Sequence, residues 1–189
     1  MAKVLFGLRN VYYSVITEGD NNSISYATPV ALPGAVNLSL SPEGDENVFY
    51  ADDSRYYVVS ANAGYSGDLE IAMITDAFAK TVLGEIEDTN KLLVESKDAQ
   101  HKSIALMFEV QSDESARRYV FYNVSIGRVS TNAATTEEST TVQTATLNIT
   151  AAAAKDTGYV RAYTTDLTPD ATYNAWFSSV QVPSMPNSN

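Results

Sequence analysis

The sequence of 189 residues contains no cysteine and a single histidine. The lack of cysteine excludes disulfides, thiolate nucleophiles and cysteine-ligated zinc sites. The sequence also lacks a G-x-G-x-x-G fingerprint, a G-K-S/T phosphate loop and any run of roughly 18 apolar residues, the length that a membrane-spanning helix needs. The first residues are too weakly apolar for a signal peptide, and we expect a product that is cytosolic when it is made.

Basic residues are scarce, because 12 lysines and arginines stand against 23 aspartates and glutamates, for a net charge of -11. Binding to nucleic acid through phosphate neutralisation requires clustered lysine and arginine, so the composition argues against it. The length is that of one ordinary domain able to bury a core. We predict a single domain over residues 1–182, followed by a flexible tail at 183–189.

Alternation of polar and apolar side chains with a period of two is the dominant pattern. In residues 65–74 one predicted face carries Leu69, Ile71 and Met73, while polar residues lie on the other face. Further strands are predicted at residues 3–16, 37–41, 103–110, 119–128 and 142–151, and in 119–128 the pattern puts Val120, Tyr122, Val124 and Ile126 on one side. These strands predict a mainly β fold, an antiparallel sandwich or barrel with one or two short helices.

The first predicted helix spans residues 77–83. Thr75 or Asp76 can cap its start, and Gly84 stands where a left-handed residue ends a helix. Phe78 and Val82 are four residues apart, so they fall on one face of it and predict an inward stripe.

A second short helix is predicted near the C-terminus. Thr168 stands at the N-cap position and Pro169 in the first turn. Tyr173, Trp176 and Phe177 then share an apolar stripe that predicts contact with the core.

A long projecting hairpin is predicted at about residues 43–62. A turn at 41–46 precedes it, and strand-forming residues flank an acidic pair near its middle. A free two-stranded hairpin is marginal in water, so we expect it to contact a partner, although it can also fold back on its own domain. Its candidate contact residues are Phe49, Tyr50, Asp52, Asp53, Tyr56 and Tyr57. Residues 130–141, rich in serine and threonine, are predicted to form a polar excursion.

No constellation of residues predicts catalysis. His101 has no second histidine or cysteine with which to share a metal, and we predict a surface residue. The acids near the hairpin, Glu43, Asp45, Glu46, Asp52 and Asp53, lack the spacing of a calcium-binding helix-loop-helix and are predicted to be solvated. We therefore expect no enzyme activity, no cofactor and no metal, and a hydrolase with paired acids is a distant alternative.

Several strings of residues, in order along nearly the whole chain, resemble the major tail proteins of long, flexible-tailed bacteriophages of Gram-positive hosts. They are FGLRNVYY at 6–13, PGAVNLSL at 33–40, YADDSRYY at 50–57, GYSGDLEIA at 64–72, TATLNITA at 144–151 and ATYNAWF at 171–177. Taken together these strings are fairly specific, whereas each alone is a strand with a turn. The resemblance departs mainly at 130–141 and in the tail.

This resemblance implies a structural protein of the virion tail, assembled in the host cytoplasm. Six copies would form a ring through a β-sandwich, and stacked rings would form the tail tube through which viral DNA passes without specific binding. The partners that it implies are further copies of the chain, the tape measure protein, the tail terminator and the distal tail protein, with no membrane. The family has no catalytic residues.

Within such a tube, polar strand faces would line the lumen. The candidate lumen-facing residues are Ser39, Ser41, Ser66, Asp68, Glu70, Thr146 and Asn148. A polar and anionic wall would leave DNA hydrated, whereas a basic wall would bind it. The same faces can instead meet outside solvent. Two alternative functions stay open: a tube subunit of a contractile or secretion-type particle, and a sugar-binding β-sandwich of a receptor-binding protein, favoured by exposed aromatic residues.

Overall fold

The computed structural model describes residues 4–44, 46–51, 53–130, 135 and 143–185. The predicted fold class is confirmed, because the described chain is mainly β, with antiparallel strands in a sandwich-like arrangement and a few short helical segments. The predicted excursion at 130–141 and tail at 183–189 lie largely outside the described residues, and residues 183–185 belong to no helix or strand.

Nine strands form one antiparallel sheet: β1 (Leu5–Glu18), β2 (Ile24–Tyr26), β3 (Val30–Ala31), β4 (Ala35–Glu43), β7 (Gly64–Ile71), β10 (Ile104–Ser112), β11 (Arg117–Ile126), β12 (Ala145–Ala152) and β13 (Arg161–Tyr163). Their order in the sheet is β2-β1-β10-β11-β12-β7-β4, with β3 on β1 and β13 on β11. Two hairpins pair only within themselves, β5 (Glu46–Ala51) with β6 (Ser54–Ser60) and β8 (Ile86–Glu87) with β9 (Leu93–Val94).

The sheet curves around one apolar core. Inward side chains of β1, β7, β10, β11 and β12 share a single buried cluster, and leucines of β4 pack against it. Leu69, Leu106 and Leu147, from three of these strands, are almost fully buried. Fully burying a leucine side chain contributes about 1.5–3 kcal/mol, so this shared interior is the main source of the fold's stability.

A helical segment covers one end of this core, and it confirms the helix predicted at 77–83. Thr75 caps α1 (Asp76–Phe78) by accepting a hydrogen bond from the backbone N–H of Phe78 at 3.3 Å. The segment continues as a π-helix to Leu83, and Gly84 ends it in the left-handed conformation at φ 74°. Phe78 and Val82 are fully buried. The ring of Phe78 meets that of Tyr13 edge to face at 4.9 Å, which ties the helix to β1.

The C-terminal segment covers the outer face of β10 and β11. Trp176 is buried there beside Met107 and Tyr122, after α2 (Asp170–Asn174). The predicted cap of this helix is wrong, because Pro169 occupies the N-cap position and the Thr168 hydroxyl instead accepts from the N–H of Thr165 at 2.8 Å. Since the segment packs on the sheet, β10 is buried on both faces.

Bulges and strand ends account for the other wrong predictions. The predicted common face of β11 is wrong, because a register shift between the pairs of Ile104 and Leu106 changes which side chains point inward. Val120 and Tyr122 pack with Met107 and Trp176 in a second buried cluster, which we call the outer cluster, whereas Val124 and Ile126 face the main core.

Two predicted strand boundaries also differ from the structure. Met73 is 71% exposed rather than inward, because β7 ends at Ile71. The turn predicted at 41–46 is shorter, since β4 continues through Pro42 to Glu43. Both differences arise at the last residues of a strand, where sequence periodicity is least informative.

The barrel-like sheet has two unlike ends. At the first, called the plugged end, the helical segment meets the end of β7 and the start of β10. At the second, called the open end, β4 stops at Glu43 and β7 begins at Gly64. The β5–β6 hairpin leaves the sheet at this open end, because it joins those two strand ends along the chain.

Candidate functional site

All seven predicted lumen-facing residues lie on three neighbouring strands, β4, β7 and β12, and the registers place them in adjoining rows. Directly opposite residues in an antiparallel pair project on the same face of the sheet. The three rows are Ser39–Asp68–Asn148, Asn37–Glu70–Thr146 and Ser41–Ser66–Thr150. We call these nine residues the polar face. Asn37 and Thr150 were not among the predicted site residues. The cross-strand registers add these two residues to the polar face.

The other face of the same strands is apolar. Leu69 stands opposite both Leu38 and Leu147, and these side chains enter the core. On the polar face, by contrast, Ser39, Asp68 and Asn148 are exposed. The one-sided alternation predicted from sequence is therefore confirmed, since one face of this part of the sheet is buried and the other meets solvent.

The polar face is anionic and hydroxyl-rich. Its two charged residues, Asp68 and Glu70, are both acids. Glu70 accepts a hydrogen bond from the Thr144 hydroxyl at 2.6 Å, and Ser66 donates to the carboxylate of Glu43 at the end of β4. Threonine and serine thus hold the carboxylates in place, and the face presents acceptor oxygens without a compensating lysine or arginine among its nine residues.

Strand β4 is an edge of the main sheet. It pairs with β7 on one side and with no strand on the other within the described part of the chain. Pro42, which has no N–H to donate, lies near its end, in keeping with an edge position. This edge, part of which lies close to β1, therefore carries backbone groups that no strand of the described residues pairs, and it can accept another strand.

The predicted projecting hairpin is confirmed as the β5–β6 pair. Asp53 stands in its turn at φ 54°, and Asp52 lies outside the described residues. Phe49 lies opposite Tyr57 in the register, and Tyr50 lies on the same strand as Phe49. Tyr56 and Tyr57 are exposed, at 70% and 63%.

A buried charge cluster was not predicted. Glu109 is 1% exposed on β10, and it accepts hydrogen bonds from Nε of Arg9 at 2.5 Å and from Nε of Arg118 at 2.7 Å. The Arg118 guanidinium also lies over the ring of Tyr173 at 3.8 Å and donates to the Tyr173 carbonyl. This cluster joins β1, β10, β11 and α2. A glutamate inside the apolar run at 104–110 was the sequence signal that could have revealed it.

Burial alone would raise the pKa of the Glu109 carboxyl. The hydrogen bonds from Arg118 and Arg9 and their positive charges outweigh burial, and they hold that pKa below the ordinary glutamate value. The carboxylate therefore stays ionised, with two guanidinium groups on it, and the arrangement is structural. It offers no unpaired acid or base for catalysis.

His101 makes an ordinary structural contact. Its Nδ1 donates to the carbonyl of Ile126 at 2.9 Å, and the side chain is half-buried instead of fully exposed. Among the described residues no group of three or more histidines, aspartates or glutamates is placed to hold a metal ion. In those same ranges no helix is long and apolar enough to cross a membrane.

Comparison with known proteins identifies no relative, since neither a protein-family model nor a curated protein matches this chain. Arguments about function therefore rest on the residues and their geometry.

Proposed function

We propose that this chain is a structural subunit of a bacteriophage tail tube, in which copies form six-membered rings that stack around a channel for DNA. The observation that carries the proposal is the polar face on β4, β7 and β12, bounded by the open edge of β4. Edge-to-edge pairing between copies would extend the sheet into a closed wall and remove that edge. The sequence resemblance to major tail proteins supports the same function.

The charge of the polar face suits a conduit. Asp68 and Glu70 would repel the phosphates of DNA, so the duplex would keep its counterions and water and slide past the wall. A face with lysine and arginine would release those counterions and retain the DNA. This proposal gives the protein a passive role without catalysis.

The exposed hairpin fits contact between rings better than sugar binding. Tyr56 and Tyr57 are neighbours on one strand, and their side chains therefore point to opposite faces of the hairpin. A sugar-stacking platform would require aromatic rings on one face. Two opposed tyrosines suit a hairpin that lies between two protein surfaces.

Electron microscopy of the concentrated, purified protein tests the proposal. We expect rings with sixfold symmetry, or tubes of uniform bore. A protein that stays monomeric under all assembly conditions would contradict it, and stabilisation by a sugar without any polymer would favour the receptor-binding alternative.

Reversing the charge of Asp68 and Glu70 tests whether the polar face lines the lumen of the tube. The double variant Asp68→Lys, Glu70→Lys should assemble into tubes that retain short duplex DNA on sedimentation, with retention that falls as salt rises. A matched control, Asp20→Lys, Asp98→Lys, makes the same change in net charge at exposed positions outside the polar face and should not retain DNA. If the first variant folds but forms no tubes, these acids lie at a subunit contact and the lumen assignment is wrong.

A further inference from the structure

An apolar cavity opens beside the main core. Its volume is about 300 Å³, and side chains of β1, β4, β7, β10, β11 and β13 line it. Phe108 and Phe121 are buried in the main core, whereas Leu8, Leu38 and Leu40 pack against that core and stay only partly buried. The described residues thus leave part of the core surface uncovered at the cavity, and an apolar ligand would be stabilised there by its own burial.

Stacked aromatic rings give the cavity one rigid wall. The ring of Phe108 stacks on that of Tyr119 at 5.1 Å and lies nearly parallel to that of Phe121 at 6.1 Å. The Tyr65 ring meets the Phe121 ring edge to face at 5.3 Å. All four residues line the cavity. Because these rings hold one another in place, the wall is formed before a ligand arrives, and little conformational entropy would be lost on binding.

One cation stands among these rings. Of the described residues that line the cavity, only Arg161 is charged, and it is exposed to solvent. Its guanidinium lies 5.0 Å from the ring centre of Tyr65 and 5.8 Å from that of Tyr163. Tyr163 in turn stacks on Tyr119 of the aromatic wall. The exposed guanidinium therefore marks the solvent side of the cavity, and the buried ring of Phe121 marks its inner side.

The side chain of Arg161 makes neither an ion pair nor a hydrogen bond within the described residues. Arg9 and Arg118, by contrast, share the carboxylate of Glu109. Contacts with aromatic rings hold a guanidinium without using its N–H groups, so those of Arg161 are available to an anion. A carboxylate can accept two parallel hydrogen bonds from them and balances the single positive charge, whereas a phosphate monoester carries close to two negative charges.

The volume limits the size of the ligand. Since an apolar cavity of about 150 Å³ binds benzene, a space of about 300 Å³ holds roughly ten non-hydrogen atoms. We propose that this cavity binds a monocarboxylate with an apolar chain of about eight carbons, with the chain against the aromatic wall and the carboxylate on Arg161. The inference goes beyond the proposed function and does not rest on it, because each copy of the chain carries the whole site.

Octanoate is a probe of this size, and octylammonium is its matched control, because it has the same chain length with the opposite charge. Isothermal titration calorimetry of the purified chain with octanoate should give a dissociation constant of roughly 0.1–1 mM, as expected for a ligand with so few atoms. Octylammonium should bind at least about tenfold more weakly. Absence of octanoate binding, or equal affinities for the two probes, would overturn the inference.

The variant Arg161→Gln tests the role of the cation, with little risk to the fold at an exposed position. It should weaken octanoate binding by about tenfold or more. The matched control Lys155→Gln makes the same change in net charge outside the cavity lining, at a residue that is 51% exposed, and should bind octanoate like the natural chain. Equal affinities of the two variants for octanoate would overturn the inference.

Nuclear magnetic resonance of leucine methyl groups locates the ligand in the natural chain. Octanoate should shift the methyl signals of Leu8, Leu38 and Leu40 and leave that of Leu167, which is 91% exposed outside the cavity lining. Equal shifts at all four leucines would show unspecific binding and overturn the inference. If octanoate shifts none of the cavity signals while dilution of the protein does, a second copy of the chain fills the cavity and the inference is wrong.

Discussion

Glu109 and Arg118 stand opposite each other on β10 and β11, with the buried carboxylate 2.7 Å from Nε of the guanidinium. Arg9 completes the cluster from β1. A charge removed from water is costly unless it is paired and hydrogen-bonded, and here both conditions are met. The cluster consequently fixes the relative positions of three strands.

Removal of this carboxylate should destabilise the fold. Glu109→Gln leaves the Arg118 charge buried without its partner, and we expect a loss of about 3 kcal/mol in the free energy of unfolding, measured with denaturant. Glu18→Gln is the matched control, because Glu18 pairs with Lys155 at 2.6 Å on the exposed surface, where a pair contributes less than about 1 kcal/mol. Equal losses in the two variants would contradict the structural role of Glu109.

The contribution of Glu109 should disappear in acid. Its pKa is held below the ordinary value of 4.5, so its stabilising effect is complete above that value and is lost as the pH falls through the folded-state pKa. The difference in unfolding free energy between the natural chain and Glu109→Gln should be constant near neutral pH and shrink below about 4.5. A difference that persists unchanged through the acidic range would argue against this pKa shift.

Alkali should weaken the outer cluster. Burial, with a smaller contribution from Asp156, raises the pKa of Tyr26 to about 12, and burial also raises the pKa of neighbouring Tyr122 above its ordinary value. The neutral phenols therefore stabilise the fold up to about pH 10, and this stabilisation is lost between about pH 10 and 12. In that pH window Tyr26→Phe should unfold less readily than the natural chain. Circular dichroism follows the unfolding, and tyrosinate absorbance follows the ionisation of the phenols. The exposed variant Tyr57→Phe should behave like the natural chain.

The close approach of β4 and β7 requires glycine at position 67. A Cβ there would lie 1.8 Å from the Ser39 carbonyl oxygen, so Gly67→Ala must push the edge strand away. We expect a loss of more than about 1 kcal/mol in the free energy of unfolding, with faster hydrogen exchange in β4. Gly127→Ala is the control, because its Cβ would meet Asn148 at an ordinary 3.4 Å. Similar free energies of unfolding for the two variants would contradict this prediction, because β4 would then move away from β7 without loss of stability.

Local patterns predicted the parts of the fold that depend on local physics. The period-two pattern identified the polar residues of β4, β7 and β12, and the cap at Thr75 with Gly84 identified the helix. Sequence could not reveal the bulge in β11, since it arises from pairing with β10. The partners of Glu109 on β1 and β11 were equally hidden, because only the folded sheet brings Arg9 within reach across 100 residues of chain.

The placement of the β5–β6 hairpin makes it an independent module. Glu43 pairs with Gly64, and the N–H of Ala63 bonds to the Glu43 carbonyl at 2.9 Å, so β4 and β7 are neighbours that would be joined by a tight turn if the hairpin were absent. Insertions, deletions or a foreign peptide between these two residues would leave the register of the sheet unchanged. The length of this hairpin can therefore diverge among related chains while the main sheet stays the same, which makes the site suitable for grafting.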